Sequence, residues 1–113
     1  MHELSLAQSI VDLVEEQCAG EHFARVRTIR VSVGQLSTVD PRSLEFGFEV
    51  VARGTIAEGA SLTIDRPAGR AYCTDCAVTV EIATQADACP ICGGHRWVVV
   101  GGQDLRVIDL EVE

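Results

Sequence analysis

Two Cys-x-x-Cys turns constrain this chain more than any other feature: Cys73-Thr74-Asp75-Cys76 and, after twelve residues, Cys89-Pro90-Ile91-Cys92. A two-residue spacer lets both thiolates of a turn face one ion, and two such turns complete the tetrahedral S₄ set that zinc prefers. Gly93 frees the backbone to turn beneath the second pair. The gap falls below the ~15–20 residues usual between ribbon knuckles, so only a short hairpin fits between the turns. A single Cys-x-x-Cys can act as a redox dithiol. Two matched turns in a stretch with little other core argue instead for a structural metal. The stretch from about Arg70 to Val100 is too small to bury a sufficient core, so the metal supplies much of its folding free energy. Four cysteines fill the coordination sphere. No position is left for a metal-bound water, which excludes hydrolytic chemistry at this site, and His95 could serve as a ligand only by replacing one of the thiolates.

The remainder reads as one mixed domain. Ser5 to Ala19 places Leu6, Ile10, Leu13, Val14 and Gln17 at helical spacing, widened by Ala7, Val11 and Cys18. Ser5 with Gln8 is a capping box in this reading, which leaves Met1 to Leu4 as a short arm, and Gly20 ends the helix. Ile29, Val31 and Val33 alternate with polar residues as in a half-exposed strand. Asp40 and Pro41 open a second helix that carries Leu44, Phe48 and Val51 and closes at Gly54. Leu62 and Ile64 mark a second strand, followed by a loop at Pro67 and Gly69; Ile108, Leu110 and Val112 mark a last one. The expected fold is α+β: a three-stranded mixed sheet with two helices on one face, plus an inserted zinc-ribbon-like lobe. The α/β domain takes residues 1–69 and 101–113, and the lobe takes 70–100.

Charge narrows the function classes. Seventeen acidic residues face nine basic ones, a net charge of −8, and every basic residue among the nine is arginine. An acidic chain without a basic aromatic face is a poor nucleic-acid binder, whereas it attracts divalent cations or a basic partner. No apolar run is long enough for a membrane span, and Met1 to Glu3 lack the basic start of a signal peptide. An odd count of five cysteines then points to metal or thiol chemistry in a reducing cytoplasm. Cys18 reads as a buried core thiol, His22 as a solvated or capping residue near the helix end, and Trp97 as packing beneath the lobe.

His2 is the second metal candidate. The Met1 α-amine, the His2 amide nitrogen and the His2 imidazole can close adjacent five- and six-membered chelate rings about one ion, with Glu3 able to add a donor. Such a nitrogen-rich set suits Ni²⁺ or Cu²⁺ better than zinc. The plainer alternative is an exposed terminal histidine with no ligand role.

The opening Met1-His2-Glu3-Leu4-Ser5-Leu6-Ala7, the stretches Val33-Gly34-Gln35-Leu36, Val39-Asp40-Pro41 and Phe48 to Thr55, and the two cysteine pairs together resemble the HypA/HybF hydrogenase maturation proteins. The resemblance implies a nickel metallochaperone, not an enzyme, that helps load Ni²⁺ into the [NiFe]-hydrogenase large subunit alongside a HypB-type GTPase. It implies nickel at His2 with the Met1 amine and a possible part for Glu3, and structural Zn²⁺ at Cys73, Cys76, Cys89 and Cys92. Asp40 lies in the family's characteristic loop, although its helix-capping role already accounts for it. A zinc-ribbon adaptor without nickel delivery is the alternative.

Overall fold

The computed structural model describes residues 2–22 and 24–113. Along the chain run α1 (His2–Cys18), β1 (Val26–Val33), α2 (Pro41–Val51), β2 (Ser61–Asp65), β3 (Gly69–Cys73), β4 (Val78–Ile82), β5 (Trp97–Gly101) and β6 (Leu105–Val112). The fold is α+β, with two helices and two three-stranded sheets. It divides into two compact units, one formed by Met1–Val31, Val39–Ile64 and Val107–Glu113, the other by Ser32–Thr38 and Asp65–Arg106.

In the first unit, α1 starts at His2, so the expected arm is helical from His2 to Leu4. The Ser5–Gln8 capping box does not form: the Ser5 carbonyl accepts from Ser9 Oγ at 3.1 Å and Gln8 donates to Asp12 Oδ1 at 2.9 Å, both inside the helix. Tertiary contact explains the earlier start. Gly47 of α2 backs onto α1 so closely that a Cβ there would lie 3.5 Å from Leu4 Cα and 3.6 Å from Ala7 Cβ. Glu3 in the first turn also suits the helix dipole. The buried stripe is Ala7, Ile10, Val11, Val14 and Cys18. It is rotated from the expected one, because Leu13 is 39 % exposed and Gln17 faces water.

Asp40 caps α2 as the sequence suggested, in extended backbone (φ −85°, ψ 116°), with its carboxylate accepting from Arg42 N at 3.2 Å and Ser43 Oγ at 2.9 Å. Leu44 and Phe48 go into the core. The first sheet has the order β2-β1-β6. Ala24 N donates to Glu113 O at one end and Gly34 N to Asp104 O at the other, so β1 and β6 run antiparallel. Cross-strand ion pairs join Arg30 to Asp109 and Arg25 to Glu113, each at 2.6 Å.

The second unit carries the sheet β4-β3-β5, with both pairings antiparallel. Gly69, read from sequence as part of a loop, opens β3 instead. Its lack of a side chain serves packing there, since a Cβ would come within 2.5 Å of Leu36 Cγ and 2.6 Å of the Ile82 carbonyl oxygen. Beyond it Ala71 and Cys73 point inward, while Arg70 and Tyr72 point outward. The core of this unit is small: Leu36, Ala71, Cys73, Val80, Ile82 and Cys89, with Cys76, Trp97 and Val99 packed against it. Gly102, at φ +85°, lets the chain turn from β5 into β6, and its carbonyl accepts from Leu36 N at 2.8 Å.

Among the described residues no helix is long and apolar enough to cross a membrane.

Candidate metal centre

The two turns are built alike. In the first, Ala77 N donates to Cys73 O at 2.8 Å; in the second, Gly93 N donates to Cys89 O at 2.8 Å. The donor of each bond sits in left-handed backbone, Ala77 at φ 55° and Gly93 at φ 74°. Each turn thereby rolls both of its thiols to the same side. A further bond from Cys89 N to Gly94 O at 2.7 Å closes the second turn on itself. Strand β3 delivers Cys73, its last residue, into the core of the unit.

Four Sγ atoms result within 4.8 Å of one another: those of Cys73, Cys76, Cys89 and Cys92. Cys73 Sγ and Cys92 Sγ stand 3.7 Å apart. A regular tetrahedron with Zn–S near 2.3 Å has sulfur–sulfur edges of about 3.8 Å. The Cys73–Cys92 pair thus has the spacing of one such edge, and the other sulfurs lie close enough to share an ion with it. Cys73 and Cys89 are buried, Cys76 is half-buried and Cys92 is exposed, which gives the cluster a dry side and a wet side. His95 is exposed and outside this group, so the four sulfurs could hold an ion without it.

Electrostatics also fits a cation. Burial, followed by hydrogen bonding with neighbouring thiols, pushes the Cys76 thiol up to about 12. The Cys92 and Ile91 amides pull the Cys89 thiol down to about 7. Crowded thiols resist joint ionisation, and a bound dication removes that resistance because a coordinating thiol is deprotonated outright.

The frame around the cluster uses residues that the cysteine spacing does not reveal. Thr74 ties the first turn to the start of β5, its amide and Oγ1 donating to Arg96 O at 2.9 and 2.8 Å. Asp87 folds the approach to the second turn: its carboxylate accepts from Ala83 N at 2.7 Å and from Thr84 Oγ1 at 2.8 Å, and its carbonyl from Trp97 Nε1 at 3.0 Å. The Thr84 hydroxyl first, then the Ala83 and Thr84 amides, hold the Asp87 carboxyl below its ordinary range. A Thr-x-x-Asp spacing was the available signal in the sequence. Trp97 packs beneath the lobe as expected.

At the other candidate site, His2 is exposed on the first turn of α1. The first amides of a helix have no intrahelical acceptor, so use of the His2 amide as a ligand would break no helical hydrogen bond. Glu3 and Asp40 come together, with Asp40 N donating to Glu3 Oε2 at 3.4 Å. The Glu3 carboxylate thus reaches the start of α2, where the Asp40 carboxylate is engaged by its own helix. The Met1 amine lies outside the described residues.

The family model described as "Hydrogenase/urease nickel incorporation, metallochaperone, hypA" matches residues 1–112. The chain belongs to the HypA family. The hydrogenase maturation factor HypA of Azotobacter vinelandii is 49 % identical over 113 residues, 100 % of each chain. That of Rhodobacter capsulatus is 45 % identical over 112 residues, 99 % of each. The HypA fold recurs in solution structures. The nickel metallochaperone HypA of Helicobacter pylori superposes with a TM-score of 0.69 at 22 % identity, covering 97 % of this chain and 96 % of that one. A second HypA solution structure gives 0.73 at 23 % identity, covering 100 % and 97 %.

Proposed function

We propose that this chain is a nickel metallochaperone that carries Ni²⁺ at its N terminus and assists nickel insertion into [NiFe]-hydrogenase during maturation. The whole-chain match to the HypA family carries this reading. His2 is the principal nickel ligand, through its imidazole and amide nitrogens, with the Met1 amine and with Glu3 near enough to contribute. Zn²⁺ held by Cys73, Cys76, Cys89 and Cys92 is structural, because four thiolates leave it no open position. The α/β domain of residues 1–69 and 101–113 bears the nickel and the lobe of 70–100 bears the zinc. The protein catalyses no reaction. It works in the cytoplasm with a HypB-type GTPase and the hydrogenase large subunit, and binds neither nucleic acid nor membrane.

Nickel titration of the untagged, zinc-loaded protein tests the reading. His2→Ala, or one residue added before Met1, is expected to abolish stoichiometric Ni²⁺ binding while one Zn²⁺ per chain remains. Nickel binding unchanged in both variants would leave a zinc-bearing adaptor as the better description.

A further inference from the structure

Arginine is scarce in this acidic chain, and most of it is engaged. Arg25, Arg27, Arg30 and Arg96 each meet a carboxylate, and Arg66 donates to the Val33 and Gly34 carbonyls. Among the described residues Arg70 and Arg106 do neither, nor do Arg42 and Arg53. Arg70 and Arg106 differ from that second pair in sharing one cleft, of about 280 Å³, within the second unit.

Three observations give the cleft its donors and its wall. First, Arg70 stands directly across β4 from Glu81 yet forms no ion pair with it. Its guanidinium lies instead over Gly101, so close that a Cβ there would meet Nη2 at 2.7 Å and Nε at 3.0 Å. Glycine is what gives the group room to lie along the cleft wall. Second, Ser32, at 8 % exposure, lines the same cleft and gives its wall a hydroxyl. Third, the wall is fixed, because Leu36 N binds Gly102 O at 2.8 Å and Gly34 N binds Asp104 O at 2.9 Å. One carboxylate, Asp104, opposes the two cations on the lining.

We infer that this cleft is an oxyanion site of phosphate class. Two guanidinium groups offer planar, charge-assisted donors suited to a tetrahedral oxyanion, and the Ser32 hydroxyl adds a neutral one. The volume suits a phosphate group and is too small for a whole nucleotide. The inference is independent of nickel binding, since no residue it uses is a proposed metal ligand.

The test is titration of the zinc-loaded, nickel-free full chain with inorganic phosphate in low-salt, phosphate-free buffer, followed by amide chemical shifts. The amides of Ser32, Gly101 and Gly102 should move in a saturable way. Arg70→Gln and Arg106→Gln should each weaken binding about tenfold with zinc content unchanged, as expected for loss of a charge-assisted hydrogen bond. Asp104→Asn should strengthen it severalfold, an effect of opposite sign that loss of folding could not produce. A parallel titration with phosphoserine identifies the source: tighter binding of the ester assigns the site to an esterified phosphate, tighter binding of inorganic phosphate to the free ion, and both support it. Shifts that are absent, do not saturate, or are unaltered in Arg70→Gln would overturn the inference.

Discussion

The two units of this chain reach a folded interior by different means. The first buries large apolar side chains completely, among them Ile10, Ile29, Leu44 and Phe48. The second buries a core of six residues, of which two are cysteines and one is alanine. At roughly 25 cal/mol per Å² of apolar surface, the first has ample driving force and the second little. What the second unit has is a convergent set of sulfurs. The contrast teaches that apolar burial and a convergent set of metal-capable sulfurs can be divided between parts of one small chain, and that each part should then fail in its own way.

The largest expected effect follows from taking the metal out of the second unit. Structural zinc binding contributes on the order of 10–16 kcal/mol in small zinc-folded peptides. Cys73→Ala, or a strong chelator, should therefore release the zinc and erase amide-exchange protection in β3, β4 and β5 while α1 and α2 keep theirs. Retention of tight zinc by Cys73→Ala, or protection falling equally in both units, would break the comparison. Next comes the apolar core. Phe48→Ala should destabilise the first unit by about 3–5 kcal/mol, read by chemical denaturation, with one zinc per chain retained. A third and smaller effect concerns the two otherwise equivalent turns. Gly93→Ala places a Cβ on left-handed backbone and should cost about 1 kcal/mol or more, whereas Ala77→Gly should be close to neutral or mildly stabilising because strain is relieved there. Thermal melts of the zinc-loaded variants measure both, and equal effects of the two changes would show that the turns are not under the same constraint.

The smallest effect is a pH dependence. The Arg25 hydrogen bond first, and then the charges of Arg25 and Arg27, hold the Glu113 carboxyl below its ordinary value of 4.5. A lowered folded-state value means that the unfolded chain binds the proton more readily. The stabilisation is thus complete above about pH 4.5 and is lost as pH falls through the lower folded value. Glu113→Gln should flatten the acid limb of the stability profile slightly and leave neutral-pH zinc content alone. An unchanged acid limb would remove this pair from the account.

Much of the architecture was visible in the residues because it follows from local periods. The alternation in Val26–Val33 and the Asp40-Pro41 start of α2 needed no tertiary information. The cysteine cluster was legible for a similar reason, since a two-residue spacer dictates convergence. What escaped was decided by distant neighbours. The start of α1 depends on Leu4 and Ala7 meeting Gly47, forty and more residues away. Strand β3 begins on a glycine because Leu36 and Ile82 crowd it. The arginine cleft joins residues from β1, β3 and β6, and no window of sequence brings Ser32, Arg70 and Arg106 together. Ala77 carries no sign of its left-handed backbone, where Gly93 at the matching place announces it.

The helical state of His2 to Leu4 has a mechanical consequence. Three residues of loose chain could sweep a radius of about 10 Å, which would let a carrier reach toward its recipient. A rod that begins at the second residue cannot reach. On the proposed function its end is a fixed pole, and the distance between nickel donor and acceptor is closed by movement of whole molecules.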